Sequence, residues 1–189
     1  MSGDIDSVFE FPVESRNVTV EELGDIFWDF TKRASKSLYD QFTRQLAKGD
    51  ILLNKKGQIV LTRQLLIINM WSVCKAWVEA EDALETMHQK YLQGISLFFQ
   101  DQAKPQDVWA FAKRELMERY KEYYAHWMNN DLNVSNEKIV SLATTMLKEM
   151  IQHTDLQLGG KYQGMVINHL KIVLKALLLM KRDYVVNLG

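Results

Sequence analysis

One cysteine, two prolines and nine glycines in 189 residues leave this chain poor in the residue types that staple, kink or loosen a fold. The lone Cys74 cannot form an internal disulfide, and its place near an apolar helical side gives it the part of a small buried thiol. So few prolines and glycines argue against the many tight turns of an all-β fold and for long helices. A net charge of −1 supplies no global field to recruit DNA, RNA or anionic lipid. No window reaches the roughly 18–20 uninterrupted apolar residues of a spanning helix. The first residues, Met1 to Asp6, are acidic and lack the apolar centre of a secretory signal, so the expected address is cytoplasmic. Catalytic motifs are equally scarce. There is no Gly-x-Ser-x-Gly, no Gly-Lys-Ser/Thr after Gly159-Gly160, and no histidine within a turn or two of Cys74 on its helical side. Internal repeats and low-complexity segments are also missing.

What is present is an ordinary globular mixture, 47% hydrophobic and 25% charged, of a length that suits one domain. Residues 1–18 read as an extended arm, with Val8, Phe9, Phe11 and Val13 set among acids. Thr19 and Glu22 have capping-box spacing, and a first helix then runs to about Lys48. Its apolar side carries Val20, Leu23, Phe27, Phe30, Ala34, Leu38 and Phe42. Between Ile51 and Leu61 two short branched runs flank Asn54-Lys55-Lys56-Gly57, which suits a small β-hairpin.

From Thr62 to Phe99 the spacing predicts one central helix, with Leu66, Met70, Val73, Trp77, Leu84, Tyr91, Ile95 and Phe98 on one side. At about 1.5 Å per residue it would span roughly 55 Å. Pro105 opens a helix striped with Trp109, Ala112, Leu116, Tyr120, Tyr123 and Trp127. A turn rich in capping residues, Asn129 to Ser135, leads to a helix from about Asn136 to His153. The last helix, from about Tyr162 to Asp183, has only a thin polar strip: Gly164, Asn168, Lys171, Lys175 and Arg182. That pattern implies neighbours around most of its circumference. The expected fold is all-α, an up-and-down bundle of about five helices over residues 19–189, two of them long.

The sharpest chemical pattern is Glu85-Thr-Met-His88, a Glu-x-x-His pair with Glu81 one turn earlier. Helical bundles aim iron or manganese ligands inward at this spacing, and zinc accepts the same donors. A complete site needs further donors, for which Glu115, Glu118, Glu149 and His169 are the available residues. The competing reading is a partly buried His88 paired with Glu81 or Glu85. His169 lies mid-way along the apolar side of the last helix with Tyr162, as a core histidine or as part of an apolar ligand site. Glu122 and His126 project away from the aromatic stripe, and Glu149 and His153 sit at the edge of theirs. Trp28, Trp71 and Phe111 fall off the apolar stripes, which marks them either for burial by a further helix or for an interaction surface. Lys55, Lys56 and Arg63 make a small basic spot without interleaved aromatics, a poor match to nucleic-acid binding.

Three functions follow in order. The first is a non-enzymatic interaction subunit, binding a protein partner or itself through Trp28, Trp71 and Phe111. The second is a metal-binding bundle of ferritin-like type using Glu81, Glu85 and His88. The third is a binder of apolar ligands or membrane surfaces through the last helix, disfavoured because interfacial helices have a wider polar face.

Overall fold

A computed structural model describes residues 16–98, 105–127, 135–154, 156 and 158–186. Their order is β1 (Arg16–Val18), α1 (Val20–Ala47), α2 (Lys55–Ala76), α3 (Glu81–Phe98), α4 (Pro105–His126), α5 (Asn136–His153), α6 (Gly160–Asp183) and β2 (Tyr184–Val186). The fold is all-α, with six helices among the described residues. Residues 1–15 of the arm, the stop after Phe98 and most of the 129–135 turn lie outside the described residues.

The first helix begins as its sequence dictates. Thr19 Oγ1 accepts from Glu22 N at 3.2 Å, and Thr19 N donates to Glu22 Oε2 at 2.8 Å, a complete capping box. Leu23, Phe27, Phe30, Ala34, Leu38 and Phe42 are all buried. Gly24 lets α1 approach α3 closely, since a Cβ there would lie 2.6 Å from Thr86 Cβ and 3.0 Å from the Ala83 carbonyl. A two-stranded parallel sheet, Arg16 beside Tyr184 through Val18 beside Val186, joins the entry to α1 with the exit from α6.

Two expectations are overturned between Ile51 and Phe98. There is no hairpin. Asn54 caps α2, its Oδ1 accepting from Gly57 N at 2.8 Å, and Lys55 to Leu61 form the first turns of that helix. Asn-x-x-Gly serves as a cap here, and the branched run Ile59-Val60-Leu61 continues into a helix apolar on every side. Nor is there one long central rod. The chain leaves the helix at Trp77 (φ −124°, ψ 41°), turns through Val78 and Glu79, and re-enters at Glu81. Glu81 and Asp82 sit in the first turn of α3, where the positive end of the helix dipole favours acids. Doubling back places Trp77, Ala83, Met87 and Tyr91 in the core, an enclosure a straight rod would not give them. Lys181 of α6 fixes the turn by donating to the Ala76 carbonyl at 3.1 Å and pairing with Glu79.

The axis of the molecule is therefore α2, which touches each of the other five helices. Trp71, expected off the stripe, has 0% exposure. Its neighbours are the rings of Tyr123, Tyr124 and Trp127, at 5.8, 5.7 and 6.1 Å between centroids. Trp109, expected inside, is exposed, and Val108 takes the buried position on α4. By length and composition alone, α2 and α6 are apolar enough to cross a membrane. Inside the fold 83% of the α2 window is buried but only 44% of that in α6. The expectation of a last helix wrapped on most sides is thus corrected: Leu178 and Leu179 are exposed.

A buried polar string ties α1, α2 and α6. Ser35 Oγ donates to the Leu65 carbonyl at 3.1 Å, and Asn69 Nδ2 lies 2.8 Å from that carbonyl and 3.1 Å from Ser35 Oγ. His169 Nε2 stands 2.9 Å from Asn69 Oδ1, so it carries the proton and donates. This is the core histidine expected from sequence, donating to a side-chain carbonyl. Burial pulls its pKa from 6.5 down to about 4. Below pH 6.5 the unfolded chain takes up this proton and the folded chain does not, so stability falls with pH until about pH 4 and then levels off. The loss across that window is about 3 kcal/mol. Urea midpoints at pH 7.5 and 4.5 should show it, and His169→Gln should remove most of this share of the slope. An equal acid loss in the variant would assign the effect to other groups.

Candidate functional site

Three places gather side chains with chemical or binding potential. The first is a buried cluster between α2, α3 and α4. His88 Nε2 is 2.9 Å from Tyr120 OH, and Cys74 Sγ lies 3.6 Å from each of these atoms. A cysteine–histidine contact, which sequence periodicity failed to find along one helix, thus arises between helices once the chain folds back at Trp77. Burial pushes the Cys74 thiol up to about 12, opposed by the Tyr120 hydrogen bond. Burial also lowers the His88 pKa, with Glu85 opposing, and holds the Tyr120 phenol well above its usual value. At neutral pH the cluster is a thiol, a neutral imidazole and a phenol. Desolvation disfavours the thiolate–imidazolium pair that an activated nucleophile needs.

The residues assembled around a metal by sequence are distributed otherwise. Glu81 and Glu85 are exposed, and Glu85 accepts from Gln89 at 3.2 Å. His88 faces Tyr120 instead of either glutamate. Glu115 pairs with Arg63, Glu149 with Arg119, and His169 with Asn69. His126 is exposed and bonds Thr145 at 2.9 Å, while the His153 side chain lies outside the described residues. Among the described residues, no group of three or more His, Cys, Asp or Glu side chains is arranged to hold a metal ion.

The second place is a charged cleft of about 560 Å³ between the first half of α2, α4 and the end of α5. Arg63 Nη2 meets Glu115 Oε1 at 2.5 Å, and Gln64 Nε2 reaches the same oxygen at 3.2 Å. Arg119 Nη1 lies 2.6 Å from both Glu122 Oε2 and Glu149 Oε1. The Arg119 and Glu149 side chains are each 11% exposed. Glu149, expected at the edge of its helix, is in fact buried. Sequence missed these pairs because Arg63 and Glu115 stand 52 residues apart on different helices.

The third is an apolar groove over α1, α2 and α3, formed by two hollows of about 410 and 240 Å³ that share Tyr39, Thr62, Leu66 and Ile95. Trp28 walls one end, edge-on to Tyr91 at 6.5 Å and with Lys32 Nζ 5.6 Å from its ring centre. Lys32, Lys36, Lys55 and Arg63 stand along the lips with Asp40. The three aromatic residues singled out by sequence thus part company. Trp28 lines the groove, Phe111 is exposed in the charged cleft, and Trp71 is in the core. Tyr162 is partly buried against Phe42, 5.3 Å between ring centres, and lines none of these cavities.

The described residues form an all-α fold of six helices that carries one buried Cys74–His88–Tyr120 cluster, one charged cleft and one apolar groove. Comparison of the chain with family models, curated proteins and solved structures gives no match.

Proposed function

We propose that this chain is a non-enzymatic interaction subunit that self-associates through the groove over α1, α2 and α3. The supporting observation is the groove itself: an apolar floor of Trp28, Tyr39, Leu66, Tyr91 and Ile95 with four cations and one acid on its lips. Lys32 and Lys36 pair with Asp29 and Asp40 at the exposed surface and Arg63 with Glu115, so an occupant that complements the groove carries large apolar side chains and acids that share the two exposed lysines with these partners. Residues 4–14 have that composition, with Val8, Phe9, Phe11 and Val13 between Asp4, Asp6, Glu10 and Glu14. The proposed occupant is this arm from a second copy. Apolar burial supplies the affinity, and the lysines set orientation and exclude basic segments. Contact of α1 with both α2 and α3 keeps the groove's three walls adjacent.

Light scattering of the full chain over a concentration series should give a dimer that dissociates at high salt. Lys32→Glu with Lys36→Glu, two exposed positions, should raise the dimer dissociation constant about tenfold or more. Trp28→Ser should act in the same direction. A monomer at every concentration, or a dimer indifferent to all three substitutions, overturns the reading.

A further inference from the structure

We propose that the charged cleft between α2, α4 and α5 is a binding site for a small phosphate monoester whose ester group is planar and apolar. Charge is the first reason. The lining holds five cations, Lys55, Lys56, Arg63, Arg114 and Arg119, against three carboxylates, Glu115, Glu118 and Glu149, an excess of two. Two of the carboxylates are already engaged by Arg63 and Arg119. Lys55, Lys56 and Arg114 make no ion pair among the described residues. Arg119 also pairs with Glu122, which lowers the excess to one, and a phosphate monoester, with close to two negative charges at neutral pH, is attracted by it.

Placement is the second reason. Lys55 and Lys56 are the first two residues of α2, a 22-residue helix with no acid in its first turn. Cations at this end oppose the helix dipole, so folding concentrates positive potential there with no local compensation. An anion seated in the cleft relieves both the dipole conflict and the repulsion between the lysines.

The third reason is unmet hydrogen-bonding capacity. Arg63 Nε and Arg119 Nε are buried within the lining and have no hydrogen-bond partner. Guanidinium groups bind phosphate oxygens through just such N–H donors, often two at a time. Glu115 Oε2 is unpartnered as well, and it would accept from a ligand hydroxyl or from a singly protonated phosphate. The apolar part of the ligand is set by Phe111, exposed at 43%, whose ring lies 5.1 Å from the Arg63 guanidinium, and by Ile59 and Val60. A flat group seated on that ring gains contact area that free phosphate cannot.

Calorimetric titration of the full chain in low-salt chloride buffer, with phenyl phosphate, inorganic phosphate and phenol as probes, tests the site. Phenyl phosphate should bind with a submillimolar dissociation constant, about tenfold tighter than inorganic phosphate, and phenol should give no heat. Lys55→Glu with Lys56→Glu should weaken phenyl phosphate about tenfold or more while raising Tm, because acids suit the first turn of α2. That opposite movement separates loss of the site from loss of the fold. Phe111→Ala should bring phenyl phosphate down to the affinity of inorganic phosphate. No heat with either phosphate, or undiminished affinity in the double lysine variant, overturns the proposal. Lys55, Ile59 and Arg63 border both the cleft and the groove, so the two readings are separated by residues that line only one: Lys32→Glu with Lys36→Glu should leave phenyl phosphate binding unchanged, and Phe111→Ala should leave the dimer unchanged.

Discussion

Trp71→Ala is expected to destabilise the protein by about 3–5 kcal/mol, the range for truncating a large, fully enclosed aromatic side chain. The indole has no exposure and sits among Tyr123, Tyr124 and Trp127. Tyr123 and Tyr124 belong to the end of α4 and Trp127 follows it directly, so the cavity would open where that helix meets the central one. Rigid neighbouring rings cannot collapse into the space as aliphatic side chains do, which keeps the expected loss near the top of the range. For a chain of this size the same loss lowers Tm by roughly 10 °C. Trp71→Phe should lose less than half as much, because it retains a ring and removes an indole N–H that has no hydrogen-bond partner. Circular dichroism melts of the three proteins decide the matter. A melting temperature for Trp71→Ala within two or three degrees of the parent, together with altered self-association, would return Trp71 to the interaction surface that its sequence position suggested.

Arg119→Met is expected to cost about 3–5 kcal/mol, because it removes one partner of a buried ion pair and leaves the Glu149 carboxylate desolvated without the guanidinium. Glu149 is 8% exposed and cannot turn into water as Glu122, 42% exposed in its side chain, can. Adding Glu149→Leu to Arg119→Met should recover most of the loss, since an apolar pair of similar volume removes both desolvation penalties. The quantity to measure is the coupling energy from a double-mutant cycle in urea, expected at about 2 kcal/mol or more in magnitude. If the double variant is less stable than Arg119→Met alone, the loss lies in the packing of the guanidinium and not in the desolvated carboxylate.

How much of this was written in the sequence depends on whether a helix has a polar side. The first helix does, and its start, stripe and cap follow residue by residue from Thr19 to Phe42. The fifth is nearly as clear, with Ile139, Ala143, Met146, Leu147 and Met150 buried and Val140 left out. The second helix has no polar side, so periodicity had no direction to report. It placed Trp71 off the stripe without deciding between burial and an interaction surface, missed the start at Lys55 and ran on past Ala76. The local signals for both boundaries were present, in Asn54 as a cap and in Glu81-Asp82 as first-turn acids. They were outweighed by a turn motif in the first case and an unbroken apolar stripe in the second. The sites were less legible still. Cys74, His88 and Tyr120 come from three helices, as do Arg63, Arg119 and Glu149. No spacing along the chain records which heights on separate helices coincide.

The short parallel pair formed by Arg16–Val18 and Tyr184–Val186 has a consequence for how the molecule comes apart. Parallel strands demand a crossover between them, and here the crossover is the entire helical assembly. Bringing together segments so far apart along the chain exacts a loop entropy that only a formed bundle offsets. The clasp therefore draws its stability from the bundle it closes, and a change that loosens the packing of α1 or α6 should release it before any helix melts.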